Sequence, residues 1–165
     1  MGRMGRLVLA LLLAAAVALA GCGGGRQVRP ERPPEAAPAR LGDLVAATAK
    51  SQLGAHYLLG GHSPGQGFDC SGLAWWSHAR HGVNIPRTAA EQFAGGRSLT
   101  QKELRPGDLV FFDTTKAKSG VEHVGVYLGG GRFIHAPKSG DKVRFNALGE
   151  TYWRRNYRGA RRYAE

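Results

Sequence analysis

His123-Val-Gly-Val-Tyr-Leu-Gly-Gly-Gly-Arg-Phe-Ile-His-Ala136 is the stretch that decides the class of fold. Positions 123–128 alternate, three glycines follow, and a second apolar stretch runs over 132–136. This pattern predicts two antiparallel strands joined by a tight turn. With the glycines as a three-residue loop, Leu128 pairs with Arg132 and Gly125 with His135. Directly opposed residues share a face, and so do residues two apart. His123 and His135 are therefore expected as diagonal neighbours on one face, with Gly125 between them leaving room for another group. A two-residue loop would put the two histidines on opposite faces, so the expectation depends on an odd loop length.

Around this hairpin the chain offers more strands and, before them, helices. Leu109–Phe112 is an apolar run after the Pro106-Gly107 turn, while 143–145 and 152–157 are weaker strand candidates. Upstream, Asp43 is placed to cap a helix over 44–53 that buries Val45, Ala49 and Leu53, with Gly54 as its stop. The glycine-rich segment 60–67 predicts a loop. Asp69 is placed to cap a second helix from Cys70 to about His81, with Leu73 and Trp76 inward and Gly82 as stop. Thr88-Ala-Ala-Glu91 is a capping box for a third, short helix ending at Gly95-Gly96. Helices first and a run of antiparallel strands later predict an α+β domain. No internal repeat is visible.

The first forty residues have a different composition. Arg3 and Arg6 precede an unbroken apolar run over 7–20, which is short of the roughly 20 residues a membrane-spanning helix needs. A basic start, a short apolar core and small residues after it predict a secretory signal. The run ends Leu19-Ala20-Gly21-Cys22, which resembles a bacterial lipobox, in which the cysteine is acylated and residues 1–21 are removed. The alternative is an ordinary signal peptide with an incidental cysteine, and the small residues directly before Cys22 favour lipidation. Residues 22–40 hold Pro30, Pro33, Pro34 and Pro38 among Gly, Arg and Ala, so they predict an extended tether. At about 3.1 Å per residue it reaches at most roughly 55 Å from a membrane. The folded domain is then expected over 41–165. Gly23 after the cysteine, with no Asp there, favours the outer membrane by likeness to Gram-negative lipoproteins, in the cell envelope and facing the periplasm.

The chain of 165 residues carries 23 Lys+Arg against 12 Asp+Glu, a formal net charge of +11. That excess invites a polyanionic partner, but the expected export and lipidation separate the chain from nucleic acid, so nucleic-acid binding is not expected. Loss of 1–21 leaves +9; residues 23–40 contribute +2 and the last fifteen residues +4. Two cysteines rule out a disulfide-dense scaffold and a four-cysteine zinc site.

With Cys22 assigned to the anchor, Cys70 is a single thiol in an oxidising compartment, where it is buried or used. A cap at Asp69 puts Cys70 in the first helical turn, where the helix dipole favours thiolate. Burial against Trp75 or Trp76 is the structural alternative. A thiolate nucleophile needs a base, and the base an orienting partner; Cys70, His123 and His135 make such a set plausible. His78 and His81 sit three apart with no third ligand evident, which reads as a solvated helix end, and His56 and His62 read as surface groups. No metal is expected.

These residues resemble the NlpC/P60 family of papain-like cysteine peptidases, which cut peptidoglycan stem peptides. The likeness runs over 41–162 and in the family's order. It passes through Tyr57-Leu-Leu-Gly60-Gly61, Phe68-Asp-Cys-Ser-Gly72, Ile85-Pro-Arg-Thr88 with Gln92, Arg105-Pro-Gly-Asp-Leu-Val-Phe-Phe112, His123-Val-Gly-Val-Tyr127 and Phe133-Ile-His-Ala136. The resemblance implies N-terminal helices packed on a central antiparallel sheet. It implies Cys70 as nucleophile, His123 as general base and His135 as its orienting residue. Tyr57, with its hydroxyl near the nucleophile, and Asp69 and Ser71, lining the pocket, are implied as substrate-binding residues. Arg87 is implied either to meet a substrate carboxylate or to be structural. Leu59, where relatives often have an aromatic residue, and Trp75-Trp76 with His78 depart from the pattern. The ending 152–162 resembles short Gram-negative lipoprotein endopeptidases. The implied protein is a cofactor-free thiol endopeptidase, monomeric, anchored to the lipid membrane through acylated Cys22 and acting on peptidoglycan stem peptides. Its rivals are a catalytically silent peptidoglycan-binding or regulatory lipoprotein on the same fold, and another acyl-transfer enzyme on the same core. Stem-peptide and cross-link amides both remain open as the scissile bond.

Overall fold

The structure, a computed structural model, describes residues 39–115 and 120–165. The expected signal peptide, Cys22 and nearly all of the tether lie outside the described residues. No helix among the described residues is long and apolar enough to cross a membrane.

Helix α1 (Leu41–Lys50) starts three residues before the expected position, from an extended Arg40. Asp43 lies inside its first turn, paired with Arg40 at 3.1 Å, and does not cap it. The early start follows from packing: Gly42 lies so close to the carbonyl of Pro106 that a Cβ would collide with it. The 105–107 turn thereby holds the first helical turn against the sheet. Val45 and Ala49 are buried as expected, but the helix ends before Leu53, which is 52% exposed. Within the segment expected to be a loop, β1 (His62–Ser63) and β2 (Gly67–Phe68) form a small hairpin. Helix α2 (Cys70–Ala79) is capped by Asp69, whose carboxylate accepts from Gly72 N at 2.6 Å, and Gly82 turns the chain away at φ +73°. Helix α3 (Ala89–Ala94) starts with the reciprocal Thr88–Glu91 box.

A six-stranded antiparallel sheet follows: β3 (Arg97–Leu99), β4 (Leu109–Phe112), β5 (His123–Gly129), β6 (Arg132–His135), β7 (Arg144–Ala147) and, after α4 (Thr151–Asn156), β8 (Tyr157–Arg162). Its spatial order is β3-β8-β4-β5-β6-β7. One face buries Leu109, Phe111, Val124, Val126 and Ile134 with Val45, Ala49 and Leu73 of the helices. The other buries Val110, Phe112, Tyr127 and Phe133 with Trp153 and Ala160. The alternation of successive residues between two cores is the period-2 pattern that marked these strands in the sequence. The class is α+β, with the N-terminal helices on a central antiparallel sheet.

One strand expectation changes. Most of the segment expected as a strand over 152–157 is helical, because Glu150 caps in extended conformation, its carbonyl accepts from Arg154 N at 2.9 Å, and Trp153 plugs the second core. The strand lies just beyond, in β8, between β3 and β4. Each of its arginines has a partner within the fold, though only Arg162 is buried. Arg162 grips Asp108 with two bonds of 2.7 and 2.8 Å, and Arg161 lies 4.0 Å over the ring of Phe93. Arg158 sits at the irregularity opposite Phe111 and Phe112, and donates to Asp113 at 3.1 Å.

In the β5–β6 hairpin, Val126 pairs with Ile134 and Tyr127 with Phe133, the expected register. The turn differs: Gly129 pairs with Arg132 and the register shifts at Leu128. The loop is therefore the two residues Gly130-Gly131, both at positive φ, plus one bulged residue. The bulge restores the odd count, so His123 and His135 still face the same way. Gly125 leaves no vacancy on that face: a Cβ there would come within 2.5 Å of the Phe133 ring.

Candidate active site

Cys70 opens α2, and its half-buried thiol lies against the backbone of the segment that carries His123. Its Sγ donates to the Glu122 carbonyl at 3.8 Å. Burial pushes the Cys70 thiol up, and the charge of Asp69 adds to this, against the N–H groups of Val124, Ser71 and Cys70 that pull it down. The expectation of a depressed thiol at a helix start is therefore corrected: loss of water outweighs the helix end. The neighbouring tryptophans are occupied elsewhere, Trp75 edge-on to His62 at 5.6 Å and Trp76 against Phe68 at 5.5 Å.

His123 and His135 are both buried, and Nε2 of His123 lies 2.7 Å from Nδ1 of His135. Burial, with the like charge of His135, pushes His123 down to about 3. Burial likewise pushes His135 down to about 4, against its contact with Asn146. At neutral pH both rings are uncharged and the thiol is protonated. Trp153 stacks on His123 with ring centres 5.6 Å apart and meets His135 edge-on at 4.8 Å, so it packs against both rings. A cavity of about 570 Å³ opens beside His123, walled by Lys138, Asp141, Arg144, Asn146, Glu150 and Trp153.

Near the thiol, the backbone of Tyr57 is held by two partners, bridged to Phe68 and donating to the Asp141 carbonyl at 3.0 Å. Burial and then the charges of Cys70 and Asp69 push its phenol up, so the hydroxyl lies within their field. Asp69 is saturated: it accepts from Gly72 N, Gly60 N, the Ser71 hydroxyl and both arms of Arg87, at 2.6 to 3.3 Å. Burial raises the Asp69 carboxyl, but Arg87 and the Gly72 and Gly60 amides outweigh this and hold it below the usual range. Arg87 also donates to the Ser71 hydroxyl at 2.9 Å and the Gly61 carbonyl at 3.3 Å, which fits the structural reading of that arginine. Gly72 makes this joint possible, since a Cβ there would strike the Gly61 carbonyl.

The other histidines divide. His78 is fully buried, not solvated, and bonds the Ala74 carbonyl at 2.8 Å through Nδ1; His81 meets Thr48 Oγ1 at 2.8 Å. No cluster of three or more His, Cys, Asp or Glu suited to a metal occurs among the described residues. Sequence reasoning missed Asn146, Glu150 and Trp153. Asn146 is opposite Phe133, hence on the face of His135, and the same diagonal argument that joined the two histidines would have found it had the β6–β7 register been known.

Comparison with known proteins gives the family. The NlpC/P60 family matches residues 54–162. The murein DD-endopeptidase MepH of Escherichia coli is 44% identical over 114 residues, 67% of this chain and 42% of its own length. The gamma-DL-glutamyl hydrolase of Bacillus subtilis is 40% identical over 127 residues, 76% of this chain and 30% of its own. The chain thus spans less than half the length of these relatives. A crystal structure of an NlpC/P60 family protein from Bacillus cereus superposes with a TM-score of 0.71 at 36% identity, over 78% of this chain and 42% of that one. Sequence match, superposition and the shared α+β arrangement agree, and the chain belongs to the NlpC/P60 family.

Proposed function

We propose that this chain is a cell-envelope thiol endopeptidase that hydrolyses an amide bond in peptidoglycan stem peptides or cross-links, with Cys70, His123 and His135 as its catalytic set. The observation that supports this most is the buried 2.7 Å contact between His123 and His135, with the Cys70 thiol against the Glu122 carbonyl just before His123. The names of the relatives, a murein DD-endopeptidase and a gamma-DL-glutamyl hydrolase, support the substrate class.

The resting pair is neutral, so attack and deprotonation go together. The Cys70 S–H proton moves to the ring nitrogen of His123 that His135 does not engage, as sulfur bonds to the amide carbon. The oxyanion of the tetrahedral intermediate is met by the N–H of Cys70 at the start of α2, with Tyr57 beside it. The C–N bond then breaks, and His123 returns its proton to the leaving amine. Water attacks the thioester, giving a proton to His123 and restoring the thiol. Tyr57, Asp69 and Ser71 form the wall on the acyl side. Asp69 acts there as an Asp69–Arg87 pair, since its oxygens are already filled.

The anchor belongs to the same proposal. Cys22 is acylated after removal of 1–21, and 22–40 tethers a monomeric domain to the membrane, with the outer membrane as its site in a Gram-negative cell. Labelled palmitate incorporated by the native chain and lost in Cys22→Ala tests the anchor. For the chemistry, Cys70→Ala is expected to abolish release of fragments from purified sacculi while the domain stays folded by circular dichroism. Unchanged release by that variant would refute the thiol-peptidase reading, and no release by the native chain would favour the silent rival. Mass spectrometry of products from defined cross-linked and uncross-linked muropeptides identifies the bond.

A further inference from the structure

The two histidines are the inner half of a longer chain of hydrogen bonds. Nε2 of His135 lies 2.9 Å from Oδ1 of Asn146 on β7. Nδ2 of Asn146 donates to Oε2 of Glu150 at 2.8 Å, and the other oxygen of Glu150 accepts from Ala147 N at 2.7 Å. Glu150 is fixed in place because it caps α4 at the close of the turn after β7.

The direction of every bond in this chain is dictated by what each group is able to do. A carboxylate only accepts, so the amide nitrogen of Asn146 must face Glu150 and its oxygen must face His135. That oxygen also only accepts, so the proton of neutral His135 sits on Nε2 and its Nδ1 is bare. A bare Nδ1 must accept from His123, so the His123 proton sits on Nε2. Nδ1 of His123 is then left with its lone pair, the form a base needs.

The geometry points to Asn146 and Glu150 as positioning residues that, through His135, fix His123 in the tautomer able to accept the Cys70 proton. This inference rests on the reading of His123 as the base. The same chain carries the positive charge that His123 gains in the reaction: each bond already runs away from His123 and ends on a carboxylate. Burial keeps both rings neutral until then. The charged groups around His135 are Arg144 on β7, which opposes its protonation, and Glu150 and Asp141, which favour it.

The test uses the full chain and two readouts. In the first, release of muropeptide fragments is measured kinetically. Asn146→Leu, which has no acceptor, is expected to lower kcat about 10- to 100-fold with KM little changed, the loss typical when a group that orients a functional histidine is removed. Asn146→Asp keeps the acceptor and is expected to retain most of kcat, with the acid limb of its pH profile moved upward by the added negative charge. Glu150→Gln frees the amide to flip and is expected to fall between them. In the second, the imidazole nitrogens are observed by ¹⁵N NMR in a Cys70→Ala background. His123 and His135 are expected as pure Nε2–H tautomers, and as tautomer mixtures once Asn146→Leu is added. Unchanged kcat in Asn146→Leu, equal damage in Asn146→Asp and Asn146→Leu, or tautomers indifferent to position 146 would each overturn the inference. If His123→Ala cleaves as well as the native chain, the reading of His123 as the base fails instead. The NMR readout still decides whether Asn146 sets the tautomers.

Discussion

Asp69 shows how one side chain joins several levels of the structure. Its carboxylate caps α2, fixes the Gly60 amide of the preceding loop and clamps Arg87, so the position of Cys70, its neighbour in sequence, depends on it. The bonds are short and charge-assisted, and the carboxylate is 10% exposed while the guanidinium is 35% exposed. The pair therefore exceeds an ordinary surface ion pair in value. Asp69→Ala removes the cap and leaves the guanidinium without its carboxylate; the expected loss is about 2–4 kcal/mol of stability. Asp69→Asn keeps a capping oxygen and should lose about half as much. Urea unfolding followed by tryptophan fluorescence measures both, since Trp75 and Trp76 lie on α2. A neutral Asp69→Ala would show that the clamp contributes nothing. Arg87→Lys is not expected to replace Arg87, because a point-like ammonium cannot serve both carboxylate oxygens, Ser71 and Gly61 at once.

At the scale of elements, the sequence was legible wherever a signal was local. The caps of α2 and α3 are written in Asp69 and in Thr88–Glu91, and the apolar runs of β4 to β6 follow a period the eye can find. The facing of His123 and His135 followed from counting residues around a glycine turn. Legibility failed where partners were distant. The α1 start depends on Gly42 meeting Pro106, and β8 depends on Arg162 meeting Asp108, neither visible from neighbours in the chain. Nothing local in the segment Tyr-Arg-Gly-Ala-Arg-Arg shows that its last arginine is buried against a carboxylate. That pair is 5% and 2% exposed, and Asp108 also accepts from Arg105 N at 2.7 Å. Breaking it from one side strands a buried charge, so Asp108→Ala and Arg162→Ala are each expected to cost about 3–5 kcal/mol. The double variant Asp108→Leu with Arg162→Met removes both charges and should recover much of that loss. Denaturant midpoints for the singles and the double give the coupling; strictly additive losses would show that the two side chains stand independently.

Across the whole molecule, three buried histidines share one electrostatic condition: His78, His123 and His135 are pushed down by burial to about 4, 3 and 4. Each takes up its proton near 6.5 once unfolded. Between these values the unfolded chain binds more protons than the folded one, so stability rises with pH there and is lost on acidification from about 6.5 to about 4. Fold and site share one cause here, because the water exclusion that keeps His123 a neutral base also makes the domain acid-sensitive. His78 allows this to be tested without touching the site. It lies on α2 away from the cavity, bonds only the Ala74 carbonyl through Nδ1, and its Nε2 has no hydrogen-bond partner. Its neutral state is worth about 3 kcal/mol at pH 7 relative to pH 4, at about 1.4 kcal/mol for each pH step between its folded and unfolded values. His78→Leu removes this titration and the unpaired nitrogen together. Urea unfolding from pH 7.5 down to 4.5 should show the native chain losing stability steeply. The variant should lose it with a slope smaller by close to one proton. Parallel curves would mean that His78 is protonated in the folded chain as readily as in the unfolded one, and that its burial is not what makes the domain sensitive to acid.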